Sequence, residues 1–137
     1  MRNGAKSTVV EVAKEDSESL LVAVVDDDES VRTALVTAFE SVGLHAASFA
    51  SAEEFLSFAR LEHVGCLITD LKMPGMSGLE LQAEAAKRRR PIPTIIMTAY
   101  GEPEIRERAI RAGAVSFIAK PFDDNLLLET VRKILKP

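Results

Sequence analysis

Leu20-Leu-Val-Ala-Val-Val-Asp-Asp-Asp-Glu29 runs six apolar residues directly into four acidic ones. Six apolar residues with no polar alternation suit a parallel strand buried on both faces, rather than a strand with one wet face. Working outward, the segment from Glu29 to Val42 puts Val31, Leu35, Ala38, Phe39 and Val42 on one helical face. Gly43 supplies the stop. The stretch therefore reads strand, acidic turn, helix.

That unit recurs down the chain. Leu44 to Phe49 predicts a second, weaker strand. Ser51-Ala-Glu-Glu54 is a capping box opening a short helix with Phe55, Leu56 and Ala59 inside. Cys66 to Thr69 predicts a third buried strand ending at Asp70, followed by a loop with Pro74, Gly75 and Gly78. A helix from about Leu79 to Arg90 ends before Pro91. The fourth strand lies within Pro93 to Thr98. A charged helix runs from Glu102 to Ala112 with Gly113 as its stop, and the fifth strand spans Ala114 to Ala119. Asp123 can cap a last helix with Leu127, Val131, Ile134 and Leu135 inside.

Five strands alternating with five helices, (βα)5, predict an α/β fold with a parallel sheet covered on both faces. Five units cannot close an eight-stranded barrel, so the expectation is an open, doubly wound, flavodoxin-like sheet. Residues 1–19 differ: they carry three basic and four acidic groups, and Val9-Val10 is a short apolar patch. They are expected to be a mobile tail, leaving 20–137 as the single folded domain.

Composition narrows the functional classes. Leu, Ile, Val and Phe supply 40 of 137 residues, enough for a sizeable core. The net charge of −4 argues against a dedicated nucleic-acid surface. One cysteine, Cys66, excludes an internal disulfide framework and a multi-cysteine zinc site. No apolar run has membrane-spanning length, and the polar start lacks a signal-peptide core. A cytoplasmic protein is expected.

In open α/β sheets the site lies outside the carboxyl ends of the strands, where strand order reverses. Asp26 to Glu29 follow strand one, Asp70 follows strand three, Thr98 and Ala99 end strand four, and Lys120-Pro121 follow strand five. If the order is 2-1-3-4-5, two or three carboxylates, a hydroxyl and an ammonium converge. Two carboxylates about 4 Å apart repel by roughly 4 kcal/mol at an effective dielectric near 20. A hard cation relieves that repulsion, and oxygen ligands with open positions suit Mg²⁺ or Mn²⁺. Lys120 and Thr98 are then placed to contact a phosphoryl oxygen. Asp70, alone at its strand end and ionised at neutral pH, suits the nucleophile. Simpler readings compete. Acidic groups favour a helix N-terminus, and Asp28 and Glu29 are assigned to that; for Asp26 and Asp27 taken alone both readings stand. A lone Asp after a strand is usually a turn residue or cap. The coincidence of all these groups at one sheet edge favours a joint site.

The stretches Val24-Val-Asp-Asp-Asp-Glu-Ser-Val-Arg32, Leu67-Ile-Thr-Asp-Leu-Lys-Met-Pro-Gly-Met-Ser-Gly-Leu-Glu80, Ile96-Met-Thr-Ala-Tyr100 and Ala112-Gly-Ala-Val-Ser-Phe-Ile-Ala-Lys-Pro-Phe122 resemble a receiver domain of two-component response regulators. The resemblance is to the FixJ-like branch with its CheY-like fold, and covers about Leu20 to Lys136. It implies that Asp70 is the phospho-acceptor. It also implies that Asp27 ligates Mg²⁺ directly, Asp26 mostly through water, and the carbonyl of Lys72 completes the protein ligands. Thr98 and Lys120 would hold the phosphoryl group, Ala99 would leave it accessible, and Lys120-Pro121 would be a cis peptide. On phosphorylation Thr98 would turn in and Phe117 rotate inward, reshaping the face of helix four, strand five and helix five. Phe117 lacks the hydroxyl of the tyrosine found in many relatives, so burial alone separates its rotamers. Taken without the resemblance, Phe117 reads as an ordinary core aromatic.

The implied partners are a sensor histidine kinase and a downstream protein or output domain, with pairing on phosphorylation through helix four and strand five. The module would not be a conventional enzyme but would catalyse its own phosphorylation and slow dephosphorylation. A flavodoxin-type electron carrier would need a phosphate-cradling loop after strand one, and Asp26 to Glu29 would repel a flavin phosphate. A phosphorylation-independent interaction module on the same fold is the remaining alternative. His45 and His63 read as surface residues, Cys66 as a buried strand residue, and Met73 and Met76 as loop packing. Lys87 to Arg90 reads as cations at a helix end, with a docking or nucleic-acid role as the lesser reading.

Overall fold

The computed structural model describes residues 20–58, 60–88, 92–99, 103–120 and 123–135. Strand β1 (Leu21–Val25) leads into helix α1 (Glu29–Ser41), followed by β2 (Ala46–Phe49) and α2 (Ala52–Leu56). A 3₁₀ turn (Leu61–His63) precedes β3 (Val64–Asp70) and α3 (Gly78–Arg88). Then come β4 (Thr94–Thr98), α4 (Pro103–Arg111), β5 (Ser116–Ala119) and α5 (Asp124–Leu135). The five strands form one sheet in the order β2-β1-β3-β4-β5, every pair parallel. The expected doubly wound (βα)5 architecture is the one observed.

The hydrophobic pattern produces the two covered faces. Along β1, Val22 and Val24 point into the core under α1 and α5, with Leu35, Phe39, Leu127 and Val131. Ala23 and Val25 point the opposite way, toward Phe55 of α2 and Leu81 and Ala85 of α3. All five residues of β1 are buried, as a continuous apolar run demands, and so are all five of β4, its terminal Thr94 and Thr98 included. A third cluster, Leu71, Ile96, Ala109, Ala114 and Phe117, lies under α4.

Differences from the sequence reading sit at element ends. Strand β3 is longer than expected, starting at Val64, and Asp70 closes it instead of following it. Gly65 masked that start, yet it is where a Cβ would lie 2.7 Å from Leu135 Cδ2. The turn at Leu61–His63 carries no periodic signal in the sequence. Helix α3 begins one residue earlier, at Gly78, behind a reciprocal cap: Glu80 N–H donates to Ser77 Oγ (3.2 Å) and Ser77 N–H to Glu80 Oε1 (2.9 Å). At α2 the expected box is altered. Ser51 Oγ accepts from Glu54 N–H (3.1 Å), but Glu54 Oε1 reaches Ala50 N–H (2.6 Å). The expected stops Gly43 and Gly113 have φ of +86° and +107°, which favours glycine. The 1–19 tail, Ala59, Arg89, Arg90, Glu102 and Pro121 lie outside the described residues. No helix among the described residues is long and apolar enough to cross a membrane.

Candidate functional site

Parallel strands carry their carboxyl ends to one edge, so Asp26, Asp70, Thr98 and Lys120 arrive there together. Asp26, fully buried, has every polar group engaged. Its N–H donates to Phe49 O (3.2 Å), its carbonyl accepts from Arg32 Nη1 (2.8 Å), Oδ1 accepts from Asp28 N–H (2.9 Å), and Oδ2 accepts from Lys120 Nζ (3.0 Å). Lys120 Nζ also lies 3.6 Å from Asp70 Oδ2. One ammonium thus stands between the ends of the first and third strands. Its own backbone N–H is fixed to Thr98 O (2.8 Å).

Asp70 is half-buried. Its Oδ1 accepts from Leu71 N–H (3.0 Å), and that N–H is shared with Met97 O (2.8 Å). Oδ2 is the oxygen turned to Lys120. The carbonyl of Asp70 accepts from Thr69 Oγ1 (3.0 Å) and is crowded by Gly78, where a Cβ would come within 2.5 Å of it. Gly78 N–H in turn donates to Leu71 O (2.9 Å), so the start of α3 clasps the end of β3.

Carboxylate oxygens of Asp26, Asp27 and Asp70 all lie within 4.8 Å of one another, from a buried, an exposed and a half-buried residue. Burial first, and then the negative charge of Asp26, raise the pKa of Asp70 above the usual carboxylate value, with Asp27 adding to this. Lys120 and the Leu71 N–H oppose them. For Lys120, burial works against the charged form, but the hydrogen bond and charge of Asp26, followed by Asp70, outweigh it and raise its pKa. Three carboxylates against one ammonium leave uncompensated negative charge. An all-oxygen donor set of this kind fits a small hard dication, Mg²⁺ or Mn²⁺, and not a soft metal.

Asp28 does what its position at a helix start suggests. It caps α1, accepting from Ser30 N–H (2.9 Å) and Ser30 Oγ (2.7 Å), and those bonds lower its pKa. Thr98 is buried at the end of β4 opposite Ala119, and Ala99 beyond it is exposed. Lys72 is exposed two residues past Asp70. Phe117 is buried, packed in the cluster under α4.

Other residues fall away from this edge. His45 and His63 stand just before β2 and β3, at the opposite end of the sheet. Cys66 is buried in β3, and Met73 and Met76 pack against the core. Lys87 and Arg88 are exposed and pair with Glu84. Two contributors carried no role in the sequence reading. Gly78 reads in the sequence as a loop glycine, and the hydrogen bond from Arg32 to the Asp26 carbonyl has no spacing signature.

The family model described as response regulator receiver domain matches residues 22–132. Nodulation protein W of Bradyrhizobium diazoefficiens is 42% identical over 117 residues, covering 85% of this chain and 52% of that protein. The transcriptional regulatory protein FixJ of Azorhizobium caulinodans is 42% identical over 118 residues, covering 86% and 56%. The crystal structure of FixJ-N superposes with a TM-score of 0.77 at 38% identity, covering 85% of this chain and 94% of that one. The chain spans about half the length of the curated relatives it matches.

Proposed function

The chain belongs to the response regulator receiver domain family of two-component systems, and on that premise we propose that it is a phosphorylation-driven switch with Asp70 as its acceptor. The observation that carries this reading is Lys120 Nζ standing between Asp26 Oδ2 (3.0 Å) and Asp70 Oδ2 (3.6 Å), with Asp27 completing the acidic cluster.

An Asp70 carboxylate oxygen attacks the phosphorus of a phosphohistidine on a sensor kinase. The new P–O bond forms as the P–N bond breaks, and the imidazole keeps the electron pair. Oδ1 accepts from Leu71 N–H at 3.0 Å and Oδ2 faces Lys120 at the longer 3.6 Å, so Oδ2 is assigned the attack. Asp26, Asp27, Asp70 and the carbonyl of Lys72 would hold Mg²⁺ (or Mn²⁺). That ion supplies charge neutralisation for the incoming phosphoryl group. Lys120 and the Thr98 hydroxyl receive phosphoryl oxygens, and the small, exposed Ala99 leaves the approach open. Pro121, expected to follow a cis peptide, lies outside the described residues.

Phosphorylation adds negative charge and acceptor oxygens beside Thr98. Thr98 and Phe117 then bias the face of α4, β5 and α5 between two arrangements. That face would contact a downstream protein or output domain, or a second copy of the chain through α4 and β5. The setting is cytoplasmic, with residues 1–19 as a tail preceding the receiver at 20–137. No direct nucleic-acid contact is assigned to this chain.

The test is treatment with acetyl phosphate, or beryllofluoride, in Mg²⁺. Wild type gains one phosphoryl mass or shifts its spectrum, and Asp70→Ala does neither. An unmodified, unshifted wild type overturns the reading and favours a phosphorylation-independent interaction module.

A further inference from the structure

Gln82 is a buried polar residue on the inner face of α3, between the core residues Leu81 and Ala85. Its Nε2–H donates to Ala112 O (3.0 Å), 30 positions away, at the end of α4. Its Oε1 has no partner among the described residues. A buried amide left half-satisfied is costly where an apolar side chain would fit. What the amide holds is the turn from α4 into β5.

That turn needs holding. Helix α4 buries one side chain, Ala109, with Ile105 half-buried beside it. Strand β5 is the edge of the sheet and pairs only with β4 among the described residues. Between them, Gly113 adopts φ +107°, and the turn closes through Ala112 N–H to Arg108 O (2.9 Å), Gly113 N–H to Ile110 O (2.9 Å), Ala114 N–H to Ala109 O (3.0 Å) and Val115 N–H to Thr94 O (2.8 Å). A Cβ on Gly113 would sit 3.5 Å from Gln82 Nε2, so the amide lies flush against the turn. β5 leaves this point to deliver Phe117 and Lys120.

We infer that Gln82 is a positioning residue that pins the α4–β5 turn to α3 and makes it a fixed pivot. The start of α4, next to the acidic edge, moves while residues 112–115 stay put. The second half of this inference rests on the switch described above; the pinning itself does not.

The experiment is amide hydrogen exchange on the full chain, wild type against Gln82→Leu, with Gln82→Met as a second variant that keeps side-chain length. Both variants remove the donor and the orphaned acceptor while keeping apolar volume, so global stability can hold or rise. Pinning predicts that the amides of 112–115 exchange about fivefold or more faster in both, while those of β1 and β3 stay within twofold. Equal changes everywhere, or none at 112–115, overturn it. With beryllofluoride and Mg²⁺, wild type should change at 104–107 and stay within twofold at 112–115; in Gln82→Leu the change should spread to 112–115. Equal wild-type responses at both ends overturn the pivot. A wild type that responds nowhere overturns the switch instead, and pinning is then decided by the comparison without beryllofluoride.

Discussion

Gly78 meets Asp70 across the β3–α3 junction so closely that a single added carbon would lie 2.5 Å from the Asp70 carbonyl oxygen. The obstacle is backbone, so it cannot rotate away. Helix propensity favours Ala over Gly by roughly 1 kcal/mol, but overpacking against a fixed wall costs about 1–3 kcal/mol. Gly78→Ala should therefore lower stability in urea denaturation by up to about 2 kcal/mol. It should also slow modification by acetyl phosphate, because the end of β3 that carries Asp70 must shift. A variant as stable and as reactive as wild type would show that the junction yields freely.

Lys120→Ala separates structure from signalling. It leaves Asp26, which has no exposed surface, without its ionic partner. Breaking a fully buried pair costs about 3–5 kcal/mol; the partial exposure of Lys120 reduces the expected loss to about 1–3 kcal/mol in metal-free buffer. The carboxylates remain, so Mg²⁺ should still bind, and it should raise the thermal midpoint of Lys120→Ala more than that of wild type. The response to beryllofluoride should weaken. Loss of Mg²⁺ affinity would contradict the role given to Lys120.

Asp28→Ala tests whether the third acidic residue belongs to the helix or to the metal cluster. Its carboxylate caps α1 through Ser30. The variant should melt a few degrees lower while its Mg²⁺ titration matches wild type. The bond from its backbone N–H to Asp26 Oδ1 survives the change. Weakened Mg²⁺ binding would move Asp28 into the cluster.

Cys66 sets an alkaline limit. Burial pushes its thiol up from 9.0 to about 12. The folded state therefore keeps a proton that the unfolded state loses, and its stabilising contribution is full below about 9 and lost as pH rises toward about 12. The slope is at most about 1.4 kcal/mol per pH unit. Cys66→Ala removes it, so the stability gap between wild type and variant should narrow between pH 8.5 and roughly 10.5 in urea denaturation series. A constant gap would mean the thiol does not titrate on unfolding. At pH 7.5 the native thiol should resist thiol reagents.

The residues of the acidic edge were legible because strand ends are legible. A buried parallel strand announces itself as an apolar run, and whatever polar residue ends it must sit on the same edge as the others. That is how Asp26, Asp70, Thr98 and Lys120 could be gathered from separate stretches. Gly78 and Gln82 follow no such rule. A glycine in a loop and a glutamine on an amphipathic helix have many ordinary uses, and what they touch depends on the angle between α3 and its neighbours. The same holds for Arg32, whose contact is with a carbonyl and leaves no trace in residue type. The 3₁₀ turn at Leu61–His63 was too short to impose a period, and Gly65 hid the true start of β3.

Lys120 and Asp26 are separated by 94 positions, on the fifth strand's exit and the first strand's exit. Nothing nearer in the chain supplies Asp26 Oδ2 with a described donor. A chain emerging from the ribosome therefore exposes Asp26, Asp27 and Asp70 long before Lys120 is synthesised, and the edge stays an unbalanced cluster of like charge until the last strand docks. On the function proposed above, the edge is complete only once β5 docks and delivers Lys120.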